Sequence, residues 1–413
     1  MKIAMMVRGY LPVPRPVDMI YAPIDLAVSL AEGLAKRGHE VDFYAPLGSK
    51  LRYAHLKTLN MRALAKDDQS FQALLKDKEQ VNHYVPGLWD RYFVNEMYAK
   101  AIQGKYDILH FHHPEVALPS AQINADIPTV YTQHDPLYPW YKELYELYLT
   151  PNQHFVSISN NQRRDAPDLP YADTIYNGID ADKFPFSADA EDYLLFAGRI
   201  VPQKGVKEAI QVAKQTNQRL LIIGPVYPDQ QGYFDQYIKP NLNDKILYLG
   251  YIEQSHLVRY YQKAKAFLMP IQWEEPFGLT MIESMACGTP VIALRRGAVT
   301  EVIKDGVTGY VVDSLAEMGE AIQKIGDIDR KACREHVKKH FSIEKMIDEY
   351  EVAFKRIVKA RPKRLTRSYV KTQLRRALPR KGILKKPGSY ADLGGQGQLN
   401  LRLPSQRPEI SDD

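Results

Sequence analysis

The chain has 413 residues, more than one hydrophobic core usually organises, so two domains are expected. Its 45% hydrophobic and 25% charged residues are those of a globular protein, and no run reaches the ~20 apolar residues that span a bilayer. The two cysteines, Cys287 and Cys333, form no CxxC pair, which argues against a disulfide framework or a cysteine zinc site and suits a reducing cytoplasm.

The net charge of +6 is unevenly placed. Lys355 to Lys386 holds fourteen Lys or Arg and no Asp or Glu, whereas residues 1–354 carry 39 basic and 45 acidic residues. The body is therefore mildly acidic and the basic character belongs to a tail, not to a folded surface made for nucleic acid.

From the N-terminus, Lys2–Val7 reads as a strand; it lacks the small-residue cleavage site of a signal peptide. Ala22–Arg37 has helical apolar spacing and stops at Gly38, a suitable C-terminal cap. Glu40–Ala45 is the next strand, and residues 50–105 are more polar and read as mostly helical. Strand runs follow at Asp107–Phe111, Thr129–Thr132 and Phe155–Ser159. After the turn-rich segment from Tyr176 to Pro185, a second series has strands at Tyr193–Phe196, Arg219–Ile223, Ile246–Tyr248, Ala266–Met269, Val291–Ala293 and Tyr310–Val312.

Strands separated by helices imply parallel β-α-β units. The expected fold is α/β, with two doubly wound Rossmann-like domains facing across a cleft, where ligands sit beyond the carboxyl ends of the strands. The expected division is residues 1–182, residues 183–341, a helix over 342–360 and a basic, solvated tail over 361–413. The tail has few large apolar residues. Attraction to an anionic membrane surface is its second reading, and nucleic acid is disfavoured.

The most informative segment is EEPFGLTMIESMACGTP, residues 274–290, between two strands. Pro276 suits a helix start and Gly288 its end, which predicts a helix from about Phe277 to Cys287. The first N–H groups, from Phe277, Gly278, Leu279 and Thr280, would form an anion site, and Gly278 would admit a ligand close to the backbone. Glu275 and Glu283 are eight residues apart, slightly over two helical turns, so both would point to a similar side. A diphosphate between a sugar and a ribose has the shape to meet both. A solvated helix residue is the plainer reading of Glu283.

A second segment, FAGRIVPQKGVKEAI (residues 196–210), ends a strand in Gly198-Arg199 and opens a helix after Lys204-Gly205. Two cations at such a turn suit a diphosphate and would stabilise it as a leaving group. An ordinary surface loop is the alternative. A third segment, YDILHFHHPEVALPS (residues 106–120), places His112 and His113 just after a strand, with His110 packed inside it. His134, in VYTQHD, also ends a strand and is a candidate on the acceptor side.

Together these segments resemble the family 4 retaining glycosyltransferases, over about residues 1–358. The resemblance includes Asn177-Gly178-Ile179-Asp180, Gly198-Arg199 with Lys204-Gly205, Glu275-Pro276-Phe277-Gly278-Leu279 through Glu283, and Asp305-Gly306-Val307-Thr308-Gly309. It implies two Rossmann-like domains and transfer of a sugar, with retention, from a nucleotide-diphosphate donor without a metal or other cofactor. By that likeness Arg199 and Lys204 hold the diphosphate, Glu275 the sugar hydroxyls and Glu283 the ribose. Main-chain groups of Phe277, Gly278, Leu279 and Thr280 meet sugar and phosphate, and His112 lies near the donor sugar. The glycine-rich loop that usually follows the first strand is replaced by RGYLPVPRPVDMIYAPIDLA, which keeps Gly9 but lacks the Gly-Gly. Gly9 is still expected to contact the donor, while the loop's other backbone contacts to donor or acceptor are expected to differ, pointing to an unusual acceptor or an altered activity.

The acceptor is not legible: a cell-envelope glycan, a lipid-linked sugar and a small molecule all fit. The implied setting is cytoplasmic, with peripheral contact at the inner membrane face as an added reading. Rival readings are a catalytically altered homologue serving as a binding subunit, and an epimerase or phosphorylase on the same frame. A dehydrogenase is disfavoured because neither first turn carries Gly-x-Gly-x-x-Gly.

Overall fold

The computed structural model describes residues 1–76 and 85–361. The expectations for the tail beyond residue 361 lie outside the described residues.

The N-terminal half is a seven-stranded parallel sheet: β1 (Lys2–Met6), β2 (Glu40–Tyr44), β3 (His55–Lys57), β4 (Ile108–Phe111), β5 (Thr129–Gln133), β6 (Gln153–Ser157) and β7 (Tyr171–Thr174), in the order β3-β2-β1-β4-β5-β6-β7. The C-terminal half is a six-stranded parallel sheet: β8 (Leu194–Ala197), β9 (Leu220–Ile223), β10 (Ile246–Tyr248), β11 (Ala266–Met269), β12 (Val291–Leu294) and β13 (Gly309–Val312), in the order β10-β9-β8-β11-β12-β13. Central strands are buried on both faces, which explains continuous runs such as VIAL and LLII.

The α/β fold is as expected, but two strands were not anticipated. β3 (HLK) and β7 (YADT) lie at the sheet edges, half-buried or exposed, so neither carries the apolar run that betrays an inner strand.

Strand order reverses between β1 and β4 in one sheet and between β8 and β11 in the other. Those are the crevices where doubly wound sheets bind ligands. Segments that follow strand carboxyl ends in the two halves touch one another. Arg164 pairs with Glu274 at 3.1 Å, Glu301 accepts from the Asn160 and Asn161 amides at 2.7 and 2.8 Å, and the Tyr251 hydroxyl donates to the Val17 carbonyl at 2.5 Å.

The last described helix, Ile343–Ala360, buries Met346, Ile347, Tyr350, Ala353, Phe354 and Ile357. These join the core of the N-terminal half, against the helix Ala22–Lys36. Where the chain returns, Ile179 N–H donates to the Phe341 carbonyl and Ile343 N–H to the Ile179 carbonyl. Gly178 is required there, since a Cβ would lie 2.3 Å from the Ser342 carbonyl oxygen.

Candidate functional site

In the C-terminal half, the chain leaving β8 passes Gly198 and Arg199 and makes a short turn over Pro202–Lys204. Gly205 then adopts a φ of 77°, and a Cβ on it would lie 1.9 Å from the Pro270 carbonyl oxygen, just past β11. This backbone contact between two crossovers sets Lys204 against the Glu275 loop. Lys204 Nζ donates to the Glu275 carboxylate at 2.5 Å, and the same oxygen accepts from Trp273 Nε1 at 3.0 Å. The ammonium also lies 5.1 Å from the centre of a Trp273 ring, a cation–π arrangement. Glu275 is buried and paired, as a buried charge must be.

Glu275 is held by a neighbour that sequence reasoning missed. Its carbonyl accepts from Ala298 N–H, and Gly297 packs so closely that a Cβ would lie 2.2 Å from that carbonyl oxygen. Gly297 has a φ of 57°. Gly297→Ala should therefore cost about 1–2 kcal/mol from the left-handed backbone alone, and should push Glu275 off Lys204. Calorimetry with donor titration checks this; wild-type melting and donor affinity would show that the loop yields freely.

The helix after Glu275 begins later than expected. It spans Leu279–Ala286, with Gly278 in the left-handed region at its N-terminal boundary (φ 89°), and Phe277 buried against Tyr176 and Phe341. Glu275 lies before the helix, as expected, and Glu283 on it, but with the helix starting at Leu279 the two-turn spacing does not set how the two carboxylates face. Phe277 is an apolar anchor, and the first-turn amides without an intrahelical partner start at Leu279 and Thr280.

Glu283 is buried and accepts from Gln254 Nε2 at 2.9 Å and the Tyr261 hydroxyl at 3.1 Å. Burial pushes its carboxyl up to about 7, against those hydrogen bonds; Asp25 pushes the same way and Arg15 the other. A solvated helix face, the plainer expectation, does not describe it. Arg15 and Asp25, themselves paired at 2.6 Å, belong to the N-terminal half, so that half's first loop and first helix reach the neighbourhood of Glu283.

In the N-terminal half, Arg8 and Gly9 follow β1. The buried Asp90 carboxylate accepts from Gly9 N–H at 2.6 Å and from Arg8 Nη1 at 3.0 Å. The Gly9 amide, the expected donor contact, is therefore committed to Asp90. Its missing side chain is explained by Phe93, whose ring would lie 2.4 Å from a Cβ. Arg8 Nη2 donates to His113 Nδ1 at 3.2 Å, so His113 Nε2 carries the proton shared with the Tyr21 hydroxyl at 2.5 Å. Nothing in the sequence marked Asp90, which lies in a polar helical stretch without a motif.

His112 follows β4 and is buried. Its Nδ1 lies 2.8 Å from His134 Nε2, and its Nε2 is buried without a partner among the described residues. His110 sits in the core, bonded through Nε2 to Thr132 Oγ1 at 2.8 Å. Burial holds His110, His112 and His134 well below the usual imidazole range, so all three are neutral near pH 7. Burial pushes the Asp135 carboxyl up, while Arg8 of one half and Arg199 of the other pull it down.

The comparisons with known proteins decide the family. The model "Glycosyltransferase Family 4" matches residues 26–183, and "Glycosyl transferases group 1" matches residues 179–340. The chain belongs to the group 1, family 4 glycosyltransferases. It is 33% identical over 154 residues to a lipopolysaccharide 1,2-N-acetylglucosaminetransferase of Salmonella typhimurium, a match covering 34% of this chain and 40% of that one. It is 25% identical over 371 residues to an N-acetyl-alpha-D-glucosaminyl L-malate synthase of Bacillus anthracis, covering 80% and 92%. Among solved structures, a sucrose-phosphate synthase from Thermosynechococcus elongatus matches with a TM-score of 0.69 at 19% identity, covering 87% of this chain and all of that one. Anabaena Alr3699/HepE, solved with UDP and glucose, matches with a TM-score of 0.60 at 16% identity, covering 86% and 100%. These likenesses establish the GT-B fold. Among the described residues no helix is long and apolar enough to cross a membrane.

Proposed function

We propose that this glycosyltransferase moves a sugar, with retention, from a nucleotide-diphosphate donor held by the C-terminal half to an acceptor met by the N-terminal half. The observation that carries the reading is the Lys204–Glu275 pair at the β8/β11 switch point, with exposed Arg199 earlier in the segment that leads from β8 to Lys204 and buried Glu283 on the helix that follows. A neighbour of the same fold solved with UDP and glucose supports a donor of that kind.

In this reading Arg199 and Lys204 take up the charge that develops on the departing diphosphate, a task that in other enzymes falls to a metal ion. Lys204 enters from its pair with Glu275, so donor binding divides the ammonium between carboxylate and phosphate. Glu275 then accepts hydroxyls of the sugar, and Glu283 those of the ribose. The amides of Leu279 and Thr280 face the anion. The acceptor attacks on the face from which the diphosphate leaves, so positioning and charge stabilisation carry the rate. A thermal-shift screen of nucleoside diphosphates and their sugars tests the reading, because a ligand bound only by the folded state raises Tm. No shift with any of them would overturn it.

Glu283 makes a sharper prediction. Its folded value near 7 lies above the ordinary 4.5. The folded state therefore holds a proton that the unfolded chain has released between those values. The group's contribution to stability is complete below about pH 4.5 and declines as pH rises through 7. Ribose hydroxyls donate best to the ionised form, so nucleotide affinity should rise with pH toward 7, by up to roughly tenfold per pH unit, and then level. Glu283→Gln should flatten that rise, and Glu283→Ala should weaken the free nucleotide more than Glu275→Ala does. Calorimetric titration from pH 5.5 to 8.5 checks this; a flat wild-type profile would remove Glu283 from the ribose.

A further inference from the structure

Two imidazoles, His112 and His134, end adjacent strands and share one hydrogen bond of 2.8 Å between His112 Nδ1 and His134 Nε2. Their rings are nearly parallel, 11° apart with centroids at 5.1 Å. On its other side His112 meets the His110 ring at 4.4 Å, and His110 is itself tied through Thr132 to Tyr350 of the last helix. His112 Nε2 is buried and has no partner among the described residues.

Both rings are neutral, so one proton lies between the two nitrogens and one ring must donate it. If His112 donated, each ring would carry its proton on Nδ1, the less favoured site of a neutral histidine. If His134 donates, each ring carries its proton on Nε2, the favoured site. The second arrangement leaves His112 with a free Nε2–H, a buried donor that needs an acceptor oxygen.

We propose that His134 is a positioning residue: its Nε2–H holds the His112 ring in one orientation and one tautomer, so that His112 Nε2–H is presented to an oxygen of the sugar donor. The inference replaces the expectation that His134 meets the acceptor, and its catalytic part rests on the reading of His112 as a donor-site residue. Nothing in the histidine spacing signalled the pair, because the separation of 22 positions is closed up only by the parallel register of β4 and β5.

The test has a spectroscopic and a kinetic arm. Long-range ¹H–¹⁵N spectra of histidine-labelled protein, with His112→Gln assigning the ring, should show His112 as a single Nε2–H tautomer in the native chain. His134→Ala should give mixed tautomers. Its kcat should fall roughly ten- to hundredfold through misplacement of the donor, with KM for the nucleotide sugar little changed. His134→Gln, which places an amide N–H at similar reach, should restore most of kcat and the single tautomer. A proton on His112 Nδ1 in the native chain overturns the proposal, as does undiminished kcat in His134→Ala. If that variant does not fold, the native spectrum decides. Wild-type turnover by His112→Ala would instead overturn the donor-site reading, while the spectrum would still judge the His134 restraint alone.

Discussion

Replacing Lys204 with methionine is expected to lower kcat/KM for the donor by roughly a hundredfold to a thousandfold, the scale on which a preorganised charge-stabilising group acts. The substitution does two separable things. It removes a cation from the developing diphosphate charge, and it leaves Glu275 buried with only Trp273 Nε1 as a side-chain donor. Breaking one partner of a buried pair costs about 3–5 kcal/mol when the remaining charge has no escape. The part exposure of Lys204 puts this site toward the lower end of that range. Lys204→Met with Glu275→Gln should recover most of the melting temperature and none of the turnover. Recovery of both would make the pair a support for the fold and not a part of the chemistry. Arg199→Ala should act on the same diphosphate, so its effect and that of Lys204→Met should combine non-additively.

The second large effect is expected at Asp90, far from any motif. Its carboxylate is fully buried and holds both Arg8 and the Gly9 amide at the end of β1. Asp90→Ala strands a largely buried guanidinium and a buried N–H, and should destabilise the protein by about 3–5 kcal/mol. Asp90→Asn keeps an oxygen for Gly9 but no charge for Arg8, and should cost less. The proton position on His113 should change with both, because Arg8 Nη2 donates to its Nδ1. Urea denaturation measures the first effect. A midpoint for Asp90→Ala equal to that of the native chain would mean that the loop is anchored elsewhere, through Tyr21 or Arg15.

These two cases show what could be read from residue order. Lys204 and Glu275 were legible because each sits at a strand-to-helix turn whose glycine or proline announces it. The central strands were legible because burial on both faces demands an unbroken apolar run. The expected helix start at Phe277 was wrong because Pro276 resembles a first-turn proline. Only the structure reveals that Gly278 takes a positive φ and that the Phe277 ring goes into the core. Asp90, Gly297 and the His112–His134 bond were beyond reach for a common reason. Each owes its role to a partner distant in sequence, and nothing local distinguishes it.

The return of the helix Ile343–Ala360 to the first half has a consequence for biosynthesis. The apolar faces it covers, including Leu30, Leu34 and the side of Gly33 against Ile347, belong to the first forty residues. A ribosome emits those residues early and the covering helix only after every strand of the second half has emerged. The N-terminal folding unit is thus discontinuous in the chain and is the last to be completed, although it is the first to be made. A nascent chain halted near residue 180 should carry an uncovered apolar groove, and one halted after residue 360 should not.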